Sequence, residues 1–122
     1  EDDSIKAAFE GAQKLADGIL GDMYVRQAQY EEESFNYAAA AQSWGKAARA
    51  RPADAHARAR AARTLLESGG DAAEALAFAR EAVDLEPNHG EHRLLLGQLL
   101  LTAGRPLEAQ IEVDAAARLL PG

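Results

Sequence analysis

The sequence predicts an all-α protein, a solenoid of three helix-turn-helix repeats with an additional helix at its N-terminus. The first observation is composition: 48% of the 122 residues are apolar, yet there are only three Phe, three Tyr and one Trp. Alanine, leucine, glutamate and arginine favour helices, whereas strands are rich in β-branched and aromatic residues. The second observation is a period, because Pro52, Pro87 and Pro121 lie 35 and 34 residues apart. Such a period is typical of helical repeat proteins.

Small residues follow the same period as the prolines. Because a small side chain lets two helices approach closely, aligned alanines predict helix crossings. Each proline lacks an N–H group and restricts the residue before it, so it is expected to end the second helix of its repeat. The aligned alanines are Ala40, Ala75 and Ala109, and then Ala47, Ala82 and Ala116.

The N-terminal segment, residues 1–21, predicts a helix that packs on the repeats. Ser4 can cap it, and apolar residues recur along one face at three- and four-residue steps. We expect this stripe to cover the edge of the first repeat, since a stacked array otherwise leaves its terminal unit exposed. Gly18 and Gly21 would then break the helix; a single helix through Asp22 is the alternative. The stripe contains Ile5, Phe9, Ala12, Leu15, Ala16 and Ile19.

Residues 22–122 are predicted to form the three repeats. Asp71 and Glu74 make a capping box, Asn88 can cap the next helix, and Pro106 suits a first helical turn. We expect the first inner turn to be built differently, because Phe35 stands where the alignment places glycine in the other repeats. The repeats cover about 22–54, 55–88 and 89–122, and helices are predicted at 22–34, 37–49, 55–68, 71–85, 88–102 and 106–120.

The repeat described above resembles the tetratricopeptide repeat, a helix-turn-helix of about 34 residues. The third repeat matches the family pattern best; the second has Ala62 and Arg63 where leucine and a small residue are usual, and the first lacks the turn glycine. The matching residues are Tyr24, Ala28, Ala40, Trp44, Ala47 and Pro52, then Leu66, Gly70, Ala75, Ala82 and Pro87, then Leu96, Gly97, Leu100, Gly104, Ala109, Ala116 and Pro121.

This resemblance implies a right-handed superhelix whose concave face, lined by the first helix of each repeat, receives a peptide or a partner helix. Arg60 would stand at its middle, where a guanidinium can bind a carboxylate of the ligand. The resemblance also implies positions for the lysine and asparagine clamp that holds chaperone C-termini, but Val25, Gln29, Ala61, Glu91 and Leu95 occupy them, so we do not expect that ligand. The implied groove residues are Val25, Gln29, Glu32, Arg60, Thr64, Glu67, Leu94, Gln98 and Leu101.

The net charge of −7 argues against nucleic acid and membrane surfaces as partners, because both are anionic. The charge is unevenly distributed: it sums to −6 over residues 1–36, +5 over 37–66 and −6 over 67–122. The basic middle predicts either a solvated helix face or a site for an acidic ligand. Its arginines are Arg49, Arg51, Arg58, Arg60 and Arg63.

No residue pattern indicates catalysis, a cofactor or a metal. Glu31, Glu32 and Glu33 are consecutive, so on a helix they point in different directions and cannot form an acid/base pair. His89 and His92 lie three residues apart, but two exposed ligands without further support bind a metal weakly. We therefore expect no catalytic residue, cofactor or metal site. The sequence has no cysteine, which excludes disulfides, and we expect a cytoplasmic location.

The function predicted from these observations is a non-catalytic adaptor that binds a peptide or helix of another protein, with an acidic segment as the candidate ligand. Because the sequence begins at Glu1 rather than methionine, we expect a domain of a larger, multidomain protein. One alternative is a homo-oligomer formed through the C-terminal edge, where Ile111, Ala115 and Leu119 follow at four-residue steps. Another is a bacterial chaperone or co-chaperone that holds client proteins, which would need a more apolar groove.

Overall fold

The computed structural model describes residues 2–121, and over that range the chain has six α-helices and no strand. Each helix packs against the next one along the chain, and α3 also packs directly against α5. This arrangement confirms the predicted all-α solenoid. The helices are α1 (Asp2–Glu33), α2 (Tyr37–Ala50), α3 (Ala55–Ser68), α4 (Ala72–Leu85), α5 (Gly90–Thr102) and α6 (Pro106–Leu119).

Alanines occupy the helix crossings, as predicted. All six alanines of the two aligned sets are at most 2% exposed. Large side chains fill the space beside them: Trp44 is 2% exposed and packs with Ala57 and Ala61 of α3, while Leu100 lies in a second cluster formed by α3 to α6. Phe78 packs against both clusters. The core is therefore continuous from the first repeat to the last.

The prolines end the second helices at equivalent places. Helices α2, α4 and α6 each end two residues before a proline, at Ala50, Leu85 and Leu119. Asp71 caps α4 as predicted, since its Oδ1 accepts the N–H groups of Ala73 and Glu74. The cap of α5 differs from the prediction by one residue, and this difference brings a histidine to the helix start. His89, rather than Asn88, accepts the N–H of His92 through Nδ1 at 3.4 Å.

The three inner turns share one hydrogen-bond pattern. In each, a residue with positive φ donates to the carbonyl three residues before it, and the next residue donates to the carbonyl five before it, as in a Schellman motif. The positive-φ residues are Phe35, Gly69 and Gly104, with φ of 60°, 69° and 75°. The prediction that the Phe35 turn is built differently is therefore wrong. Gly69, not Gly70, is the counterpart of Gly104, and two residues rather than one separate it from the next helix.

The first helix is longer than predicted. α1 continues without a break from Asp2 to Glu33, so the single-helix alternative is correct. The glycines serve a close contact instead: a Cβ on Gly21 would overlap the Arg51 side chain, which donates to the Gly18 carbonyl at 3.3 Å. Arg51 also pairs with Asp22. These contacts fix the middle of α1 against the end of α2.

The N-terminal half of α1 does not cover the first repeat. Ile5 and Phe9 are each 71% exposed, and Leu15 is 69% exposed. The packing prediction is wrong because a straight helix of 32 residues is about 48 Å long, whereas α2, its partner, has 14 residues and spans about 21 Å. Despite this length, neither α1 nor any other helix within residues 2–121 is apolar enough to cross a membrane.

Candidate functional site

The first helices of the three repeats are linked by side chains along one surface, which we call the inner surface. Arg60 of α3 binds Glu32 of α1, and Arg63 of α3 donates to Oε1 of Gln98 on α5 at 3.1 Å. We call the part of this surface between α3 and α5 the groove. Each predicted groove residue can now be placed relative to these links.

Arg60 is held by a carboxylate of its own chain. Its Nη2 lies 2.7 and 2.8 Å from the two Glu32 oxygens, and its Nε lies 3.1 Å from Oε1. Glu32 Oε1 also accepts Trp44 Nε1–H at 2.9 Å. Because such two-point pairing already satisfies the guanidinium, Arg60 positions α3 against α1. The sequence could not show this pair, whose members lie 28 residues apart.

Two of the predicted groove residues face the core. Thr64 is completely buried, and its hydroxyl donates to the carbonyls of Arg60 and Ala61 at 2.8 and 3.1 Å. The expectation that Thr64 contacts a ligand is therefore corrected: its side chain satisfies the backbone of its own helix. Val25 is half-buried and packs against the cluster around Trp44.

The other predicted groove residues are accessible. Gln29 and Gln98 are exposed, and Leu94 and Leu101 are 37% and 57% exposed. Positions 94, 98 and 101 follow at four- and three-residue steps, so they lie on one face of α5. Two leucines with an amide between them thus form an accessible stripe beside α3.

A polar cavity lies in the groove, and the sequence did not predict it. It is lined by side chains from α3 and from the start of α5, which are brought together by the packing of the second and third repeats. Its main polar residues are His56, Arg60, Arg63, His89, Glu91 and His92.

Burial affects the histidine at the floor of this cavity. His92 is 5% exposed, and its pKa is lowered from 6.5, first by desolvation and then by the neighbouring His89. A hydrogen bond to Glu86, at 3.0 Å from Nε2 to Oε1, opposes this shift. The buried imidazole is therefore held in its neutral form at neutral pH.

The basic middle of the chain has internal partners. Arg51 binds α1, and Arg58 binds Glu81 at 3.3 Å and the carbonyls of Ala48, Arg51 and Asp54 at 3.4 to 3.5 Å. Neither the solvated face nor the ligand site predicted for the basic middle describes Arg51 and Arg58, whereas Arg49 is exposed as the first alternative expects. Arg51 and Arg58 join the end of α2 to the neighbouring helices. Arg63 differs, because within residues 2–121 its side chain has no carboxylate partner.

Paired helices, alanine crossings and a groove along the first helices define a helical repeat architecture. Residues 70–122 match the family model described as a tetratricopeptide repeat. The resemblance stated from the sequence is thereby confirmed. No curated protein matches the sequence.

Solved structures of low sequence identity share this fold. The second TPR of Spaghetti (RPAP3), bound to the HSP90 peptide SRMEEVD, has a TM-score of 0.83 at 16% identity, covering 95% of this chain and 99% of that one. A mutant of MamA has a TM-score of 0.75 at 22% identity, covering 96% and 89%. The TPR2B domain of yeast Sti1, in a complex with pHsp70, has a TM-score of 0.73 at 16% identity, covering 80% and 78%. At these identities the likeness shows the fold alone.

Proposed function

We propose that the chain is a non-catalytic interaction module that binds a segment of a partner protein in the groove between α3 and α5. The observation that carries the proposal is the accessible stripe of Leu94, Gln98 and Leu101 beside a cavity containing cationic side chains. Apolar anchors next to a few polar groups are the usual composition of a peptide site. The TPR of Spaghetti, with the same fold, is itself bound to a peptide.

The ligand proposed for this groove is an amphipathic segment with an acidic side chain. Over residues 2–121 the Arg63 side chain donates only to the neutral amide of Gln98, so no carboxylate of that range is paired with it. A carboxylate of the ligand would replace that amide with a stronger, charge-assisted pair. The leucines would meanwhile bind apolar side chains of the same segment, with an affinity on the micromolar scale, about −8 kcal/mol.

A chaperone C-terminus is not the ligand we propose, although two structures of this fold are complexes with HSP90 or Hsp70 segments. Of the positions that correspond to the clamp, Ala61 is fully buried and Leu95 is 5% exposed. Glu91, at another of these positions, ends in a carboxylate and cannot supply the donor that a lysine or asparagine supplies in the clamp. A holder of unfolded clients is also disfavoured, because Gln29, Arg63 and Gln98 interrupt the apolar surface.

Selection of binders from a library of short random peptides tests the groove. We expect enriched peptides to combine acidic with apolar residues. Their binding should weaken at least about tenfold in Arg63→Glu, since a hydrogen bond to a charged group contributes about 1.5–3 kcal/mol and 1.4 kcal/mol is tenfold. Leu101→Asp should weaken binding similarly.

Charge-matched variants on α6 control this experiment. Arg118→Glu and Leu107→Asp make the same changes at exposed positions outside the groove and should leave the affinity unchanged. Thermal unfolding of every variant shows whether the fold is intact. If the selected peptides bind Arg63→Glu and Leu101→Asp as they bind the unchanged protein, the groove is not the site.

A second candidate function, self-assembly, is supported by exposed apolar surfaces at both ends of the solenoid. On α6, Ile111 is 65% and Leu119 is 40% exposed, as the predicted C-terminal edge requires. On α1, Phe9 and Leu15 belong to the exposed apolar stripe that begins at Ile5. We propose that the α1 stripe of one copy packs on the α6 edge of another, a head-to-tail contact that repeats from copy to copy.

Mixing two variants tests this assembly by analytical ultracentrifugation. Phe9→Glu blocks only the α1 stripe and Ile111→Glu only the α6 edge, so each alone should be monomeric. Their mixture should form a dimer and nothing larger, because each supplies the surface that the other lacks. If the unchanged protein is a strict monomer at all concentrations, or either variant still assembles alone, head-to-tail assembly is wrong.

A further inference from the structure

We propose that Glu86, His89 and His92 form a binding site for one divalent zinc-type ion at the connection between α4 and α5. Each residue offers a ligand atom, and these atoms all lie within 4.8 Å of one another. The inference does not depend on the proposed function. It also revises the expectation, drawn from the sequence, that the two histidines lack further support for a metal.

Backbone hydrogen bonds hold the three residues in place. Glu86 ends α4, where its N–H donates to the Ala82 carbonyl at 3.0 Å, and the His89 N–H donates to the Glu86 carbonyl at 3.1 Å. His89 then begins α5 as its cap, and His92 follows within the first turn. Glu86, His89 and His92 follow one another at three-residue steps, and the short turn between α4 and α5 brings their side chains into one cluster.

The side chains are close to the geometry that zinc requires. Zn–N and Zn–O bonds of about 2.0–2.2 Å in a tetrahedral site place two ligand atoms about 3.4 Å apart. His92 Nε2 and Glu86 Oε1 are 3.0 Å apart, whereas the His89 and His92 rings are stacked, with centroids 3.7 Å and planes 13° apart, so one ring must turn before both nitrogens point at one ion. The cap bond from the His92 N–H to His89 is long, 3.4 Å, so the His89 ring can exchange it for a metal at little cost. Side-chain rotation alone can complete the coordination.

The chemistry of the donors selects the ion. Two imidazoles and one carboxylate are the ligand set of open zinc sites, whereas Mg²⁺ and Ca²⁺ require mainly oxygen ligands. Glu86 and Glu91 supply negative charge near the positive end of α5, which alone would repel a cation. His89, Glu91 and His92 also line the groove cavity. A fourth ligand can therefore come from water or from a molecule in the groove.

Isothermal titration of the untagged protein with Zn²⁺ alone tests the site. We expect saturable binding of one ion per chain. Co²⁺ bound at the same site should give the visible absorption bands that are typical of a low coordination number. Glu86→Gln removes the carboxylate while keeping its shape. His89→Asn removes an imidazole while keeping a good helix cap. Each should weaken Zn²⁺ binding by at least about tenfold, because even mutation of a residue that only hydrogen-bonds to a metal ligand typically costs that much.

His56→Gln is the matched control, because His56 lines the same cavity but lies outside the cluster. It should bind Zn²⁺ as the unchanged protein does, and circular dichroism should show equal helix content in all variants. The proposal is overturned if the unchanged protein does not bind one ion saturably. It is equally overturned if Glu86→Gln and His89→Asn bind as it does, or if His56→Gln loses as much affinity as they lose.

Discussion

At the scale of single residues, internal partners decide which charges a ligand can reach. Arg60 and Arg63 lie one turn apart on α3, yet within residues 2–121 Arg60 is bound by the Glu32 carboxylate and Arg63 by an amide alone. The resemblance to the tetratricopeptide repeat implied Arg60 as a ligand contact. Its pair with Glu32 could not be foreseen, because that pair depends on how the repeats pack. Arg60→Glu would place two carboxylates together, so we expect it to weaken the fold, whereas Arg63→Glu tests the ligand.

His92 gives a prediction for stability against pH. Its pKa is lower in the folded state than the ordinary 6.5, so between these values the unfolded chain binds more protons. Stability is therefore fully present above about pH 6.5 and falls as the pH falls from there towards the folded pKa. The groups facing His92 are Glu86, His89 and His56, and the same cavity contains Arg60, Arg63 and Glu91.

Urea unfolding of the metal-free protein between about pH 7.5 and about pH 5.5 measures this effect. The free energy of unfolding should fall on acidification, and His92→Gln should show a smaller fall over the same range. Equal pH dependence in both proteins would show that His92 does not titrate with the fold. A larger fall in His92→Gln would contradict the direction of the pKa shift.

At the scale of elements, the sequence predicted most helix bounds because prolines, caps and alanine crossings are local signals. α3 matches its predicted range of 55–68, and α2, α4 and α6 end before their prolines. The sequence failed at α1, where Gly18 and Gly21 suggested a break. Their role depends on Arg51, which lies about 30 residues away and reaches them only in the packed repeat. Nor could residue spacing show that Phe35 adopts a positive φ, the backbone conformation that glycine has in the other two turns.

The Phe35 turn predicts an unusual mutational result. Phe35 is 78% exposed and has a φ of 60°, a conformation that costs a non-glycine residue about 1–2 kcal/mol. Phe35→Gly removes this cost, loses an edge contact with Tyr37 and adds about 0.5–1 kcal/mol of unfolded-state entropy. These terms nearly cancel, so thermal unfolding should change by less than about 1 kcal/mol. A loss of about 3 kcal/mol, typical of core Phe replacements, would show that the ring is structural.

At the scale of the whole molecule, the repeats form one continuous core with surfaces of different character. The groove between α3 and α5 combines accessible leucines with a cationic cavity, while α1 and α6 present apolar stripes at the two ends. The period in the sequence was sufficient to predict the solenoid, and the resemblance to the tetratricopeptide repeat implied the groove residues on α5. It could not predict the cavity, because His56 and His89 come together only when consecutive repeats stack. Nor could it show that the turn after α4 brings Glu86 close to the two histidines.

The central claim is that a partner segment lies in the groove, and nuclear magnetic resonance tests it most directly. Titrating the ¹⁵N-labelled protein with a peptide selected for binding shows which amides change. We expect the largest shifts at the inner face of α3 and α5, around Arg63, Leu94, Gln98 and Leu101, with α6 and the N-terminal half of α1 nearly unchanged. Shifts concentrated on those two end surfaces, with α3 and α5 unaffected, would contradict the claim.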